Sequence, residues 1–199
     1  MSRKTRLLAG IFLLGAVTLT AGLFGQPTQQ DQQKAMEAYM KMGAVTENHV
    51  YLKNLEGRWK VTSRAWMAPG TPPQTSESVG TGRLILGGRF LEMEIKGMMF
   101  GQPFEGLQIF SYDNLKKKYV TFWIDSTSTM FYFTEGTRDA AAKTVTETGL
   151  WPDALTGGLT KVRSVTKWVS PDEFVYELYM TGADGKEFKT LENRAVRAK

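Results

Sequence analysis

Residues 104–135 constrain the fold more than any other stretch. Within them lie Tyr119-Val-Thr-Phe-Trp-Ile-Asp125 and Thr129-Met-Phe-Tyr-Phe-Thr-Glu135, two runs with aromatic and β-branched side chains on both faces, each closing on a carboxylate. Such side chains fit a pleated, packed surface, so the runs read as adjacent strands. A ribbon apolar on both faces must be covered by more sheet or wrapped around something.

The rest of the chain supplies that sheet. Residues 57–64 alternate, Trp59, Val61 and Ser63 against Arg58, Lys60, Thr62 and Arg64, which predicts a half-buried first strand. Pro69-Gly-Thr-Pro-Pro73 forbids ladder pairing and predicts a loop. A strand over 75–86 bends around Gly80 and Gly82, and Gly87-Gly88 turns the chain. Over 89–98 the alternation is clearest: Leu91, Met93 and Ile95 face a core, while Glu92, Glu94 and Lys96 face water. Strands over 102–112, 118–125, 129–137, 143–151, 161–169, 173–181 and 187–197 follow. The loop 151–158 carries an exposed-looking Trp151, and Ser170-Pro-Asp172 and Ala183-Asp-Gly-Lys186 suit hairpin turns.

About ten strands joined by short turns, with no helical crossover, predict an all-β antiparallel up-and-down meander. An open sheet of ~10 strands would present two long edges, and closure into a barrel removes them. With 199 residues, 42% of them hydrophobic, one core over 47–199 is the expectation.

The N-terminus reads differently. Ser2-Arg-Lys-Thr-Arg6 is basic, and residues 7–25 carry no charge, the pattern of an export signal with Thr20-Ala-Gly22 as a small-residue cleavage region. The alternative is an uncleaved anchor, the chain's one expected route to a membrane, since a spanning helix needs ~20 apolar residues. Export leads to an expected periplasmic or secreted location. Residues 26–46 form a polar, helical lead-in: a Gln-rich spacer to Gln33, then Ala35, Met36, Tyr39, Met40 and Gly43 at helical spacing. Thr46-Glu-Asn-His49 can cap a second short helix whose Val50, Leu52 and Leu55 face the core.

Several chemistries are excluded. There is no cysteine, hence no disulfide, thiolate metal site, cysteine nucleophile or lipidated cysteine. One histidine, His49, cannot build an ordinary zinc site or a Cys-His dyad, and no Gly-x-Ser-x-Gly elbow serves a serine triad. His49 reads either as a proton shuttle or, more simply, as a helix histidine making one hydrogen bond. Gly80-Thr-Gly82 is no phosphate loop, because no helix follows it. Three of the five excess positive charges, Arg3, Lys4 and Arg6, lie in the export segment, and Lys116-Lys-Lys118 beside Asp113-Asn114 is a solvated turn, so no nucleic-acid partner is expected.

Gly57-x-Trp59 after a short helix, followed by such a meander, resembles the calycin pattern of lipocalins and fatty-acid-binding proteins. That resemblance implies that Trp59 packs against a basic residue on the last strand, Arg194 or Arg197. A closer resemblance covers about 47–199: His49-x-x-Leu52-x-x-Leu55-x-Gly57-x-Trp59, Met67-Ala-Pro-Gly70, Leu86-Gly-Gly-Arg-Phe90, Gly101-Gln-Pro-Phe-Glu-Gly106, Tyr112-Asp113, Trp123-Ile-Asp-Ser126 and Gly185-Lys-Glu-Phe188. On these pieces the chain is similar to the bacterial domain-of-unknown-function family 1579. The resemblance implies a lipocalin-like β-barrel and brings no activity, cofactor or catalytic residue. The haem-binding barrel nitrobindin is a remoter analogy that needs a late-strand histidine, and none follows His49.

The candidate ligand-binding residues are Trp59, Arg89, Glu105, Tyr119, Trp123, Asp125, Tyr132 and Glu135, with no metal, no cofactor and no assigned catalytic residue. Arg89 and Glu105 could form a cross-strand ion pair or a polar anchor inside the cup. Tyr119, Trp123 and Asp125 share a face and could orient a ligand with one flat and one polar side. Alternatively Asp125 caps the turn Asp125-Ser-Thr-Ser128. Of the carboxylates near the ribbon, Glu105, Asp125 and Glu135 are better placed than Glu92, Glu94 and Glu147. The favoured reading is an exported barrel holding a small apolar or amphipathic molecule. A carboxylate-dependent isomerase or hydrolase, and an envelope interaction protein using Trp66 or Trp151 in loops, are the alternatives.

Overall fold

Ten antiparallel strands close into a barrel in the computed structural model, which describes residues 27–99, 101–153, 157–182 and 184–199. The export signal expected over 1–25 lies outside them. In chain order the strands are β1 (Gly57–Ala65), β2 (Gln74–Ile85), β3 (Phe90–Met99), β4 (Gln102–Asp113) and β5 (Lys118–Asp125), then β6 (Tyr132–Asp139), β7 (Thr144–Pro152), β8 (Leu159–Ser170), β9 (Glu173–Thr181) and β10 (Glu187–Arg197). Each strand pairs with its neighbour in sequence, and β1 pairs with β10 to close the ring. The closing register sets Trp59 opposite Arg197, Val61 opposite Ala195 and Ser63 opposite Asn193. Closure leaves none of the described strands with an unpaired long edge, the exposed feature that would invite pairing with another chain.

The chain divides between Met36 and Glu37 into two units. Helix α1 (Gln29–Met42) begins inside the Gln-rich segment expected to be a spacer. Its start is capped: Thr28 donates from its backbone N–H (3.1 Å) and its hydroxyl (2.7 Å) to Asp31 Oδ2, which holds the Asp31 carboxyl below its ordinary value. None of its residues is buried.

In the unit Glu37–Lys199, helix α2 (Glu47–Val50) and the 3-10 turn Tyr51–Leu55 plug one end of the barrel. Tyr51, Leu52 and Leu55 are buried there, whereas Val50, expected to face the core, is exposed. The chain passes from α2 into a 3-10 turn at Tyr51, and it is Tyr51 rather than Val50 that is buried. Gly82 admits the plug, since a Cβ there would sit 2.2 Å from the Leu55 carbonyl oxygen. Above the plug lies an aromatic floor. Trp59 meets Phe174 edge-on at 5.0 Å, Trp168 sits 5.3 Å from Phe174, and Tyr119 touches both Tyr51 (5.6 Å) and Tyr112 (5.1 Å). Their polar tips are satisfied: Trp59 Nε1 donates to the Leu55 carbonyl at 3.0 Å and Trp168 Nε1 to Tyr51 Oη at 2.7 Å.

The calycin expectation resolves in favour of Arg197, whose guanidinium lies 4.2 Å from the Trp59 ring centre. Arg194 points outward and donates to Glu173 Oε1 at 2.8 Å. Strand β6 starts later than expected, at Tyr132, leaving Thr129–Phe131 in the connection.

Candidate functional site

Inward-facing side chains follow from strand parity. Trp59, Val61 and Ser63 point in on β1, Leu91, Met93 and Ile95 on β3, and Phe104, Gly106, Gln108 and Phe110 on β4. Because the floor fills only one end, they enclose a cavity of about 1210 Å³. That exceeds the ~300–1,000 Å³ usual for small-molecule sites. Trp66, Met98, Met99, Met130, Pro152 and Gly182 line its far end, at strand termini opposite the plug.

The lining is mainly apolar with polar groups concentrated on one side. Leu91, Met93, Ile95, Phe104, Phe110 and Trp123 make a largely apolar wall from β3, β4 and β5. The wall from β7 to β10 is mixed, with Glu147, Thr166, Tyr176 and Asn193 set among Val145, Phe174, Leu178 and Leu191, and Thr121 and Thr134 add hydroxyls from β5 and β6. Such an interior suits a largely apolar molecule with one polar part.

Glu147 is the chemically distinctive member. The Thr144-Val-Thr-Glu-Thr148 pattern of β7 puts Val145 and Glu147 on one face, and Glu147 ends up buried, 5% exposed. Among the described residues the side chain hydrogen-bonded to it is Thr121, whose hydroxyl lies 2.9 Å from Oε1 and 3.1 Å from Oε2. Burial opposes ionisation and raises its pKa to about 7; the Thr121 hydroxyl offsets this only in part. Next to it, the Tyr176 phenol is pushed upward by burial and by the Glu147 charge, with a hydrogen bond to Ser164 working the other way. Among the described residues no lysine, arginine or histidine lines the cavity. Among the described residues, two buried polar atoms of the lining have no protein partner, Trp151 Nε1 and Asn193 Oδ1.

Trp123, Asp125 and Tyr132 occupy the half nearer the open end. Trp123 stacks on Phe104 with 6.3 Å between ring centres, and lies so close to β4 that a Cβ on Gly106 would meet its ring at 2.2 Å. Its Nε1 donates to Asp125 Oδ2 at 2.8 Å, while Asp125 Oδ1 accepts from the Thr127 N–H at 2.9 Å. Asp125 thus both caps its turn and orients an indole, and both of its oxygens are engaged. Tyr132 packs edge-on against Trp151 at 4.8 Å and shares a 3.2 Å hydrogen bond with Ser128 Oγ.

Of the eight residues singled out in the sequence, Trp59, Trp123, Asp125 and Tyr132 line the cavity. Tyr119 points inward but is sealed in the floor, 2% exposed. The other three stand elsewhere. Arg89 is exposed beside the plug, donating to the Gly43 carbonyl at 2.7 Å and so tying the end of the lead-in to the barrel. Glu105 points outward from β4, its side chain 70% exposed and 4.0 Å from Lys96, so it makes no internal pair with Arg89. Glu135 is on the outer face of β6, held by Lys116 at 2.8 Å and Lys118 at 2.5 Å, which depress its pKa to about 2. Trp151, expected in an exposed loop, is an inward, half-buried residue of β7. Trp66 is half-buried, with Arg64 and Lys189 over its ring at 5.4 and 5.3 Å.

His49 stands outside the cavity, buried at the start of α2, where its Nδ1 accepts from the Thr46 N–H at 3.1 Å. Desolvation holds its pKa below the ordinary value, against a backbone hydrogen bond at Tyr112. Glu147, ranked below Glu105 and Glu135 in the sequence, was recoverable from parity with Val145 once β7 is known to close over a core.

A family model described as "Protein of unknown function (DUF1579)" matches residues 44–197. Two solved barrels are similar in fold. Rv2717c from M. tuberculosis is 14% identical with a TM-score of 0.58, over 78% of this chain and 100% of that one. The S-type phycobiliprotein lyase CPES from Guillardia theta is 11% identical with a TM-score of 0.53, over 81% and 97%. A search of curated proteins found no match.

Proposed function

This chain belongs to the DUF1579 family of proteins of unknown function, and from its interior we propose that it binds a small apolar or amphipathic molecule inside the barrel. The observation that carries this reading is the cavity of about 1210 Å³, closed by an aromatic floor at one end and lined mainly by apolar side chains with a few polar groups among them. A barrel built only for stability fills its interior with side chains, because unfilled volume forfeits packing energy. The orphaned Trp151 Nε1 and Asn193 Oδ1 support the same reading, since buried polar atoms are costly without a partner and a ligand can provide one. Export through residues 1–25 belongs to this proposal and is tested by cell fractionation with and without that segment.

Titration with the neutral fluorophore N-phenyl-1-naphthylamine tests the binding reading. Saturable one-to-one binding, abolished in a folded Thr166→Trp variant that fills the cavity from β8, is expected. No saturable binding, or binding indifferent to Thr166→Trp, contradicts it.

One observation favours a second reading. A buried carboxyl whose pKa is raised to about 7 is poised for general acid–base chemistry on a bound molecule. One barrel of similar fold is named a lyase. In this reading Glu147 replaces Glu105 and Glu135 as the acting carboxyl, and turnover of a bound ligand, lost in Glu147→Gln with binding retained, distinguishes it.

A further inference from the structure

We propose that the cavity selects a ligand whose polar end is a protonated amine, held by Glu147, with its apolar part lying on the wall of Leu91, Met93 and Ile95. This deepens the ligand-binding reading above and rests on it.

The argument begins with charge. The lining residues described include the carboxylates of Glu77, Asp125, Glu147 and Asp153 and no basic side chain. Glu77 is exposed, Asp153 lies just past the end of β7, and Asp125 is engaged by Trp123 and Thr127, so Glu147 is the buried carboxyl with capacity to spare. A carboxylate accepts about four hydrogen bonds, and Thr121 supplies one hydroxyl. An anionic head entering this interior would meet a second negative charge in a medium of low dielectric and no counter-ion, which disfavours a fatty acid. A cationic head meets its complement.

Each element packed against Glu147 supports this. From β5 comes Thr121; β8 places Ser164 directly opposite in register; β6 places Gly136 opposite, with no side chain. From β9 the nearest titratable group is the Tyr176 phenol, and from the plug the Tyr51 phenol, both neutral because burial raises their pKa values. Arg138, on β6, lies 4.4 Å from the centre of the Tyr51 ring, and the shift of Glu147 is explained by burial and Thr121 without any cation. Among the described residues Glu147 therefore has no ion partner.

A second, independent observation points the same way. Asn193 Oδ1, on the same mixed wall, is a buried acceptor with no donor among the described residues, so the wall offers accepting capacity at two places and a primary ammonium carries three donors. Trp123, Tyr132 and Trp151 add aromatic faces, which attract cations. Proton balance follows. Near neutral pH Glu147 is partly protonated, so ammonium binding expels that proton to solvent, and a neutral amine takes it up directly to form the same pair.

Isothermal titration with decylamine, decyltrimethylammonium, decanol and decanoate, below their micelle concentrations and from pH 5.5 to 8.5, tests the assignment on wild type and Glu147→Gln. In wild type at pH 8 the two cations are expected to bind at least tenfold more tightly than decanol, with decanoate weakest. Affinity for decyltrimethylammonium should rise towards tenfold per pH unit below about pH 7 and level off above it. Glu147→Gln should keep decanol binding while losing both the preference and the pH dependence. If decanol binds but the cations hold no advantage, or if the advantage survives in Glu147→Gln, the amine assignment is wrong and the ligand-binding reading stands. If none of the four binds, the ligand-binding reading falls with it.

Discussion

The guanidinium of Arg197 lies 4.2 Å from the centre of the Trp59 ring while its nitrogens donate to the Glu56 carbonyl at 2.6 Å, the Asn54 carbonyl at 2.9 Å and Asp172 Oδ1 at 2.8 Å. One side chain on the last strand thus clamps the first strand, the plug and the β8–β9 turn together. A lysine keeps the charge but cannot reproduce the planar fork. Arg197→Lys should therefore destabilise by about 1–2 kcal/mol and Arg197→Ala by about 2–4 kcal/mol, from lost cation–π contact and unpaired carbonyls. Urea denaturation measures both, and equal stability for the lysine variant contradicts the clamp.

Glu147 makes the fold pH-sensitive. Its carboxyl titrates at about 7 in the folded chain against 4.5 ordinarily, so between these values the folded state holds more protons than the unfolded one. Stability is then greatest below pH 4.5 as far as this group is concerned, and falls by about 3 kcal/mol as pH rises through 7. Glu147→Gln should be close to wild type at pH 4.5 and more stable at pH 8. Thermal unfolding of both proteins across that range checks the sign.

His49 acts in the opposite sense. Its folded pKa is depressed by desolvation, so it contributes stability that is present above pH 6.5 and lost as pH falls through the folded value. As the sole histidine it gives a single pair of imidazole NMR signals, whose midpoint should lie below 6.5. A midpoint at or above 6.5 contradicts the buried capping role.

Gly106 permits the position of Trp123. An alanine there drives its Cβ into the indole, which must leave its stack on Phe104. Gly106→Ala should cost about 1–3 kcal/mol, alter near-ultraviolet circular dichroism and weaken probe binding. An unchanged aromatic spectrum contradicts this packing.

Much of the architecture was legible because local signals agreed with the fold. Turn residues at Ser170-Pro-Asp172 and Gly87-Gly88 mark real strand ends, and the expected spans of β5, β9 and β10 match the observed ones. The site was harder to read where a strand is apolar on both faces. On β4, Leu107 and Ile109 face outward while Phe104 and Phe110 face inward, so hydrophobicity does not mark the phase, and Glu105 fell on the outer face. Glu135 is similarly flanked by Thr134, which points in, and its partners are Lys116 in the β4–β5 turn and Lys118 at the start of β5. Arg89 is committed to the Gly43 carbonyl, 46 residues away in sequence, a contact that only the folded chain reveals. Trp59 and Trp123 were recognisable because each shares a face with residues of consistent character.

The most direct test of the central claim is native mass spectrometry of the protein purified from its own host without detergent. The account predicts a discrete added mass, lost on denaturation and absent from a folded Thr166→Trp variant. A bare protein mass, unchanged by exposure to host extract and to the neutral fluorophore, would contradict a ligand-binding cavity.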